Sequence, residues 1–319
     1  MEILSIDEKS LKKAAEIIKK GGLVAFPTET VYGLGCDGLN EKAVKRLFKV
    51  KGRPPNRPVT LHIYDISQAY EVAEVNKLAK KLMDEFFPGP LTIVLEKKAC
   101  VPDITSGGSN KIAIRMPANS IALKLIELSQ TLVAAPSANK TGGISPTKAE
   151  DVIEEFKDEI DAVVNGGETE VGIESTVIDL TKKPARILRV GAISVEEIEK
   201  IVGKVKIENR SGHYNIKAKI IIAEKDEIPE IVESLKGSKI GVCAFPEIIE
   251  KLKSNVKTFS VTEKDYSKKL FLIMREINKL DLDVVIFQKV EERGVGKAIM
   301  ERLREAKSTS EKFIQRQNE

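Results

Sequence analysis

P-T-E-T-V-Y-G-L-G, residues 27–35, follows the apolar run L-V-A-F (23–26), and K-G-R-P-P-N-R-P-V-T-L-H (51–62) ends on a second β-prone segment. Between them, N-E-K-A-V-K-R-L-F-K (40–49) sets Ala43, Val44, Leu47 and Phe48 at helical spacing, with Asn40 placed to cap the helix. Strand, hydroxyl-rich loop, helix, cationic loop, strand is the order of an α/β protein. Lys51, Arg53 and Arg57 stand among Gly52, Pro54, Pro55 and Pro58. Proline fixes φ and glycine permits unusual φ, so the three cations are expected on a stiff loop. Such a loop suits an anionic ligand.

Working outward, the alternation continues. Helical spacing predicts helices over 7–20 (ended by Gly21-Gly22), 75–86, 120–128, 148–156 and 195–202. Apolar or alternating runs predict strands over 60–63, 91–95, 111–116, 132–135, 162–164, 175–180 and 186–189. Several strands are joined by short turns, so the sheet of this first domain, residues 1–203, is expected to be twisted and mixed. Residues 204–216 are polar and irregular and are read as a linker. From 217 to 319 strand and helix patterns alternate again, predicting a smaller Rossmann-like α/β domain, with 308–319 as a frayed tail.

Composition narrows the function classes. The 319 residues carry 52 Lys+Arg and 48 Asp+Glu, a net charge of +4, so a basic site has to be local and charge-driven nucleic-acid binding is not indicated. Three cysteines without C-x-x-C spacing argue against a disulfide framework or a thiolate zinc site and fit a reducing cytoplasm. Two histidines, His62 and His213, exclude a multi-histidine metal centre. The first residues lack a secretory pattern, and apolar runs fall short of the roughly 18 residues of a membrane span, so a cytoplasmic protein is expected.

Three loops share hydroxyls and glycine after an apolar strand: 27–35, 136–147 (P-S-A-N-K-T-G-G-I-S-P-T) and 172–176 (G-I-E-S-T). Ligand sites of α/β sheets form outside strand ends, so these loops are expected to meet at one cleft, with Arg115 and Arg189 at its rim. His62 is either a core histidine or a ligand contact. Glu29 and Glu174 are read as solvated or capping carboxylates rather than a general acid/base pair. G-V-G-K-A (294–298) is read as a turn before a helix.

These motifs, together with F-P-G-P-L-T (87–92), A-P-S-A-N (135–139), G-I-E-S-T-V (172–177) and L-R-V-G-A-I (188–193), resemble the signature of the YrdC-like family of threonylcarbamoyl-AMP synthases. The additional domain resembles the longer, two-domain form. The resemblance implies a nucleotidyltransferase: L-threonine and bicarbonate give N-carboxy-threonine, whose carboxylate attacks the α-phosphate of ATP, releasing pyrophosphate. Partner proteins then place the threonylcarbamoyl group on an adenosine next to the anticodon, so tRNA is met only indirectly. By motif position, Thr30, His62, Arg115, Ala135 and Ser175 would hold threonine, with Arg115 on its carboxylate. Arg53, Arg57, Lys111, Ser137, Asn139, Ser145, Arg189 and Tyr214 would hold ATP. Lys51 and Arg53 would serve catalysis by charge. Mg²⁺ is implied with the triphosphate, and the expected state is a monomer or weak dimer. The chain departs from the family at Val59, at Val190 and in a shortened linker that keeps Ser211, Gly212, His213 and Tyr214. A tRNA or double-stranded-RNA binding protein and a carbamoyl-transfer module are the competing readings. The absence of Trp, and of the cysteine-rich fingers such a module would carry, argues against them.

Overall fold

The computed structural model describes residues 1–208, 214–252 and 256–317. The chain divides into two units, each with its own core. The first comprises Met1–Thr141 and Ser145–Arg210, the second Gly142–Ile144 and Ser211–Glu319.

The first unit carries β1 (Glu2–Leu4), α1 (Glu8–Lys19), β2 (Val24–Phe26), β3 (Gly33–Asp37), α2 (Glu41–Lys51) and β4 (Thr60–His62). It continues through α3 (Ser67–Val72), α4 (Lys77–Phe86), β5 (Leu91–Glu96), β6 (Lys111–Arg115), α5 (Ser120–Ser129) and β7 (Val133–Ala134). Then come α6 (Ala149–Phe156), β8 (Ala162–Val164), β9 (Thr176–Asp179), β10 (Arg186–Arg189), α7 (Val195–Val202) and β11 (Lys206–Ile207). Its strands form one mixed sheet of eleven, in the order β1-β8-β2-β3-β7-β4-β6-β5-β9-β10-β11. The helices follow their local chemistry. Asp7 caps α1 by accepting from the Ser10 amide, and Leu11, Ala14, Ala15 and Ile18 line one face that packs with Leu125 and Ile126 of α5 against Val24, Phe26 and Val133. Asn40 caps α2 as expected, and Gly52, at φ 59°, ends it in the left-handed conformation that glycine adopts most cheaply.

The second unit holds β12 (Lys219–Ala223), α8 (Ile228–Ser234), β13 (Ile240–Ala244), α9 (Pro246–Ile249), β14 (Lys257–Ser260), α10 (Tyr266–Lys279), β15 (Val284–Gln288) and α11 (Val295–Gln317). The four strands are parallel, in the order β12-β15-β13-β14, around Val242, Ala244 and Ile286. The mixed and Rossmann-like α/β architecture is therefore the expected one.

Three details differ from expectation. Lys206–Ile207 pairs with β10 as an edge strand, so part of the segment read as linker belongs to the sheet; residues 209–213 of that segment lie outside the described ones. Residues 308–317, read as a frayed tail, continue α11. Lys51, read as part of a stiff loop, is the last residue of α2.

Candidate functional site

A cavity of about 150 Å³ opens in the first unit at the ends of several strands. It is well below the roughly 300–1,000 Å³ of a drug-sized pocket and matches a small metabolite. Thr30, His62, Arg115, Ala135 and Ser175, the five residues assigned to threonine from the resemblance, all line it. Of those assigned to ATP, Arg53, Ser137 and Arg189 line it as well.

The 27–35 loop is built by its own hydroxyls. Thr28 Oγ1 donates to the Val31 carbonyl at 2.7 Å, accepts from the Val31 amide at 3.3 Å and lies 2.9 Å from Thr30 Oγ1. Tyr32 fixes the far side: its hydroxyl donates to the Gly167 carbonyl (2.8 Å) and accepts from the Gly166 amide (3.2 Å). Burial pushes the Tyr32 hydroxyl up to about 12.

His62 and Arg115 are register partners on the parallel pair β4–β6, which places them side by side. Arg115 Nη2 donates to Thr30 Oγ1 at 2.8 Å and pairs with Glu29 Oε2, also at 2.8 Å. Arg115, Thr30 and Glu29 are all buried. Glu29 is thus no solvated carboxylate: it fixes the guanidinium from behind, which corrects the sequence reading. Burial, and secondarily the Arg115 charge, pull the His62 imidazole down to about 3, so it is neutral at physiological pH.

The third wall is the 172–176 loop. Ser175 Oγ lies 2.7 Å from Thr92 Oγ1, while Arg189 donates through Nε to the Ser175 carbonyl and through Nη2 to its hydroxyl, each at 2.9 Å. Glu174 lines the cavity, is 8% exposed and accepts from Ser145 Oγ at 3.0 Å. It is not the solvated or capping residue expected. Thr92 is a cavity residue that sequence reasoning gave no role; the signal was present in F-P-G-P-L-T.

On the cationic side, Arg53 is held by the carbonyls of Arg57 (3.1 Å) and Pro58 (2.6 Å). Burial, then Arg57 and Arg189, lower it to about 10, which leaves it charged at neutral pH. Arg57 is exposed on the same loop. Asn139 accepts from Ser137 Oγ at 2.6 Å, and Asn139 and Ser145 reach the cavity through Ser137 and Glu174 rather than by lining it.

Three assigned residues are placed differently. Lys51 Nζ donates to the carbonyls of Ser137 (2.5 Å) and Asn139, and its own carbonyl accepts from the Thr141 amide at 2.8 Å. It anchors the A-P-S-A-N loop and does not face the cavity. Burial, then the Arg53 charge, lower it to about 7. Lys111 begins β6 and pairs with Asp179 at 3.0 Å. It stands four residues from Arg115, about 13 Å along the strand, and is not a cavity residue. Tyr214 belongs to the second unit, where its ring packs on Phe271 with centroids 5.5 Å apart.

A family model described as telomere recombination matches residues 16–191, and one described as threonylcarbamoyl-AMP synthase, C-terminal domain, matches residues 193–308. The chain belongs to the threonylcarbamoyl-AMP synthase family. A member from Pyrococcus abyssi is 41% identical, covering 94% of this chain and 95% of the relative. One from Bacillus subtilis is 34% identical, covering 95% and 94%. A crystal structure of P. abyssi Sua5 complexed with L-threonine matches with a TM-score of 0.91 at 39% identity, covering 97% of this chain and 98% of that one. The family's two-domain form is thus matched along nearly its full length. Among the described residues no group of His, Cys, Asp and Glu is arranged to hold a metal ion, and no helix is long and apolar enough to cross a membrane.

Proposed function

We propose that this cavity is where the family's reaction, synthesis of threonylcarbamoyl-AMP from L-threonine, bicarbonate and ATP with release of pyrophosphate, takes place. The observation that carries the reading is the set Thr30, His62, Arg115, Ala135 and Ser175 around one small cavity, with Arg53 and Arg189 on its other side. Arg115, already oriented by Glu29 and Thr30, presents its guanidinium to the threonine carboxylate, the geometry a forked donor suits. Neutral His62 and the hydroxyls of Thr30 and Ser175 supply uncharged contacts for the side-chain hydroxyl.

The described residues offer no group of carboxylates for a metal, so Mg²⁺ would come with ATP rather than on a protein site and would offset part of the triphosphate charge. Arg53 and Arg189, with Arg57 on the same cationic loop, face the triphosphate. Their charges offset the repulsion between the carboxylate of N-carboxy-threonine and the α-phosphate and stabilise the charge that develops in the displacement. Ser137, with Asn139 behind it, positions the nucleotide. The enzyme needs no covalent nucleophile: holding the carboxylates and phosphates of its reagents together against their repulsion is the catalytic task. The product, a mixed anhydride, is labile, so we place the reaction in the cytoplasm beside proteins that transfer the threonylcarbamoyl group to tRNA.

The test is pyrophosphate release by the purified chain with ATP and bicarbonate, with and without L-threonine. Release that depends on threonine, and is not reproduced by serine or alanine, supports the reading; threonine-independent release refutes it.

A further inference from the structure

Thr28 and Thr30 both line the cavity, their hydroxyl oxygens 2.9 Å apart, and their neighbours fix the direction of the hydrogen between them. A hydroxyl has one hydrogen to give and two lone pairs that receive. Thr28 Oγ1 stands 2.7 Å from the Val31 carbonyl, which has no hydrogen of its own, so the Thr28 hydrogen lies there. Toward Thr30, Thr28 can then only accept. The Thr30 hydrogen is thereby committed to Thr28, and one Thr30 lone pair receives Arg115 Nη2 at 2.8 Å. Thr30 keeps one lone pair and no hydrogen for a ligand.

We propose that Thr28 makes Thr30 an obligate acceptor, and that Thr30 selects threonine by accepting the hydrogen of its side-chain hydroxyl; this rests on the reading that threonine occupies this cavity. Thr28 is a positioning residue that acts through Thr30. Threonine carries two donors, its α-ammonium and its hydroxyl, and the surroundings favour the hydroxyl. Arg115 lines the cavity while its partner Glu29 does not, so a ligand meets the guanidinium. That charge also helps to lower the neighbouring His62 to about 3. A second cation at Thr30 would meet the same repulsion; a neutral hydroxyl does not.

A second hydroxyl pair supplies the complement. Ser175 Oγ accepts from Arg189 Nη2 at 2.9 Å and lies 2.7 Å from Thr92 Oγ1. Ser175 and Thr92 own two hydroxyl hydrogens and use one between them, so the pair has one to donate. A substrate hydroxyl can thus be matched in both of its roles, giving to Thr30 and receiving from this pair. A ligand without the hydroxyl leaves the buried Thr30 lone pair unmatched, which is the costly case.

Calorimetric titration of the full chain tests this with three ligands. They are L-threonine, L-2-aminobutyrate, in which hydrogen replaces the hydroxyl, and 2-amino-3-fluorobutyrate of threonine's configuration, in which fluorine does. Fluorine has lone pairs and no hydrogen. Wild type is expected to bind both analogues roughly 10–100-fold more weakly than threonine, with fluorine giving no gain over hydrogen. In Thr28→Val the Thr30 hydrogen is released and can turn to the ligand. The fluoro analogue should then bind better than 2-aminobutyrate and move at least about 3-fold closer to threonine. Thr28→Ser, which keeps the hydroxyl, should retain the wild-type ratios. A loop displaced as a whole would weaken all three ligands by one factor, and that result in Thr28→Val overturns the proposal. So does wild type that binds the fluoro analogue within about 2-fold of threonine, an outcome that needs no variant to fold. Wild type that does not bind threonine at all refutes instead the placement of threonine in the cavity, and this proposal with it.

Discussion

Lys51 shows how a single side chain can be read correctly for type and wrongly for place. Among the motif cations it looked like charge for the phosphates, yet Val44, Leu47, Phe48 and Lys51 share one buried helix face at i, i+3, i+4 and i+7. Carried forward by one turn, the helical pattern would have placed it. Lys51→Met keeps the bulk and removes both bonds to the Ser137 and Asn139 carbonyls. We expect ATP affinity to fall by about 10-fold, from the loss of hydrogen bonds to a charged donor, with threonine affinity little changed; calorimetric titration of both ligands checks this. His62 gives a prediction in pH. Its folded-state value of about 3 lies below the ordinary 6.5, so the unfolded chain binds more protons between the two. Stability present above pH 6.5 is therefore lost progressively as pH falls toward 3. Denaturant titrations across that range should show the loss in wild type and a flatter profile in His62→Asn.

Among the elements, those legible from sequence were the long periodic helices and the continuous apolar strands, such as α1, α5 and β5. Those that escaped were short or glycine-rich. β1, α3 and β11 span three, six and two residues, too few for a period to show. β3 was hidden because Gly33 and Gly35 read as loop. A Cβ on Gly35 would stand 2.6 Å from a ring carbon of Phe26, so glycine is there to admit that ring, and the strand follows from tertiary packing. The same logic governs the cavity wall. A Cβ on Gly191 would lie 2.4 Å from the backbone carbon of Ser175 and 2.5 Å from the Glu174 carbonyl oxygen, neither of which can yield. Gly191→Ala is expected to cost about 3 kcal/mol in stability. It should also displace Ser175 and Glu174, lowering threonine affinity; thermal melting and threonine titration measure the two effects. The convergence of the three hydroxyl loops was foreseeable from their place at the ends of apolar strands, but the Arg115–Glu29 pair was not: it depends on which way a buried carboxylate turns.

For the whole molecule, the decisive fact is two separate cores, one around Phe26, Val133 and Ile126, the other around Val242, Ala244 and Ile286. Multi-unit chains of this kind depart from a single all-or-none transition. Ile286, fully buried on a central strand, tests this: Ile286→Ala should cost about 2–5 kcal/mol and move one calorimetric transition while leaving the other in place. A single transition shifted as a whole would show that the units unfold together. The division into two α/β parts was visible in the restart of the strand–helix pattern near residue 217. The limits of the first unit were not, because β11 carries too little pattern to announce itself.

The cysteines convert this organisation into a measurement. Cys36 on β3 and Cys243 on β13 are fully buried, one in each core, and burial pushes both thiols up to about 12, whereas Cys100 is exposed. A thiol reagent added to the native protein should therefore consume Cys100 at once, then the other two only as fast as each unit opens. With Cys100 replaced by serine, the chain carries two internal clocks. Their separate labelling rates time the breathing of each unit under conditions where both are folded.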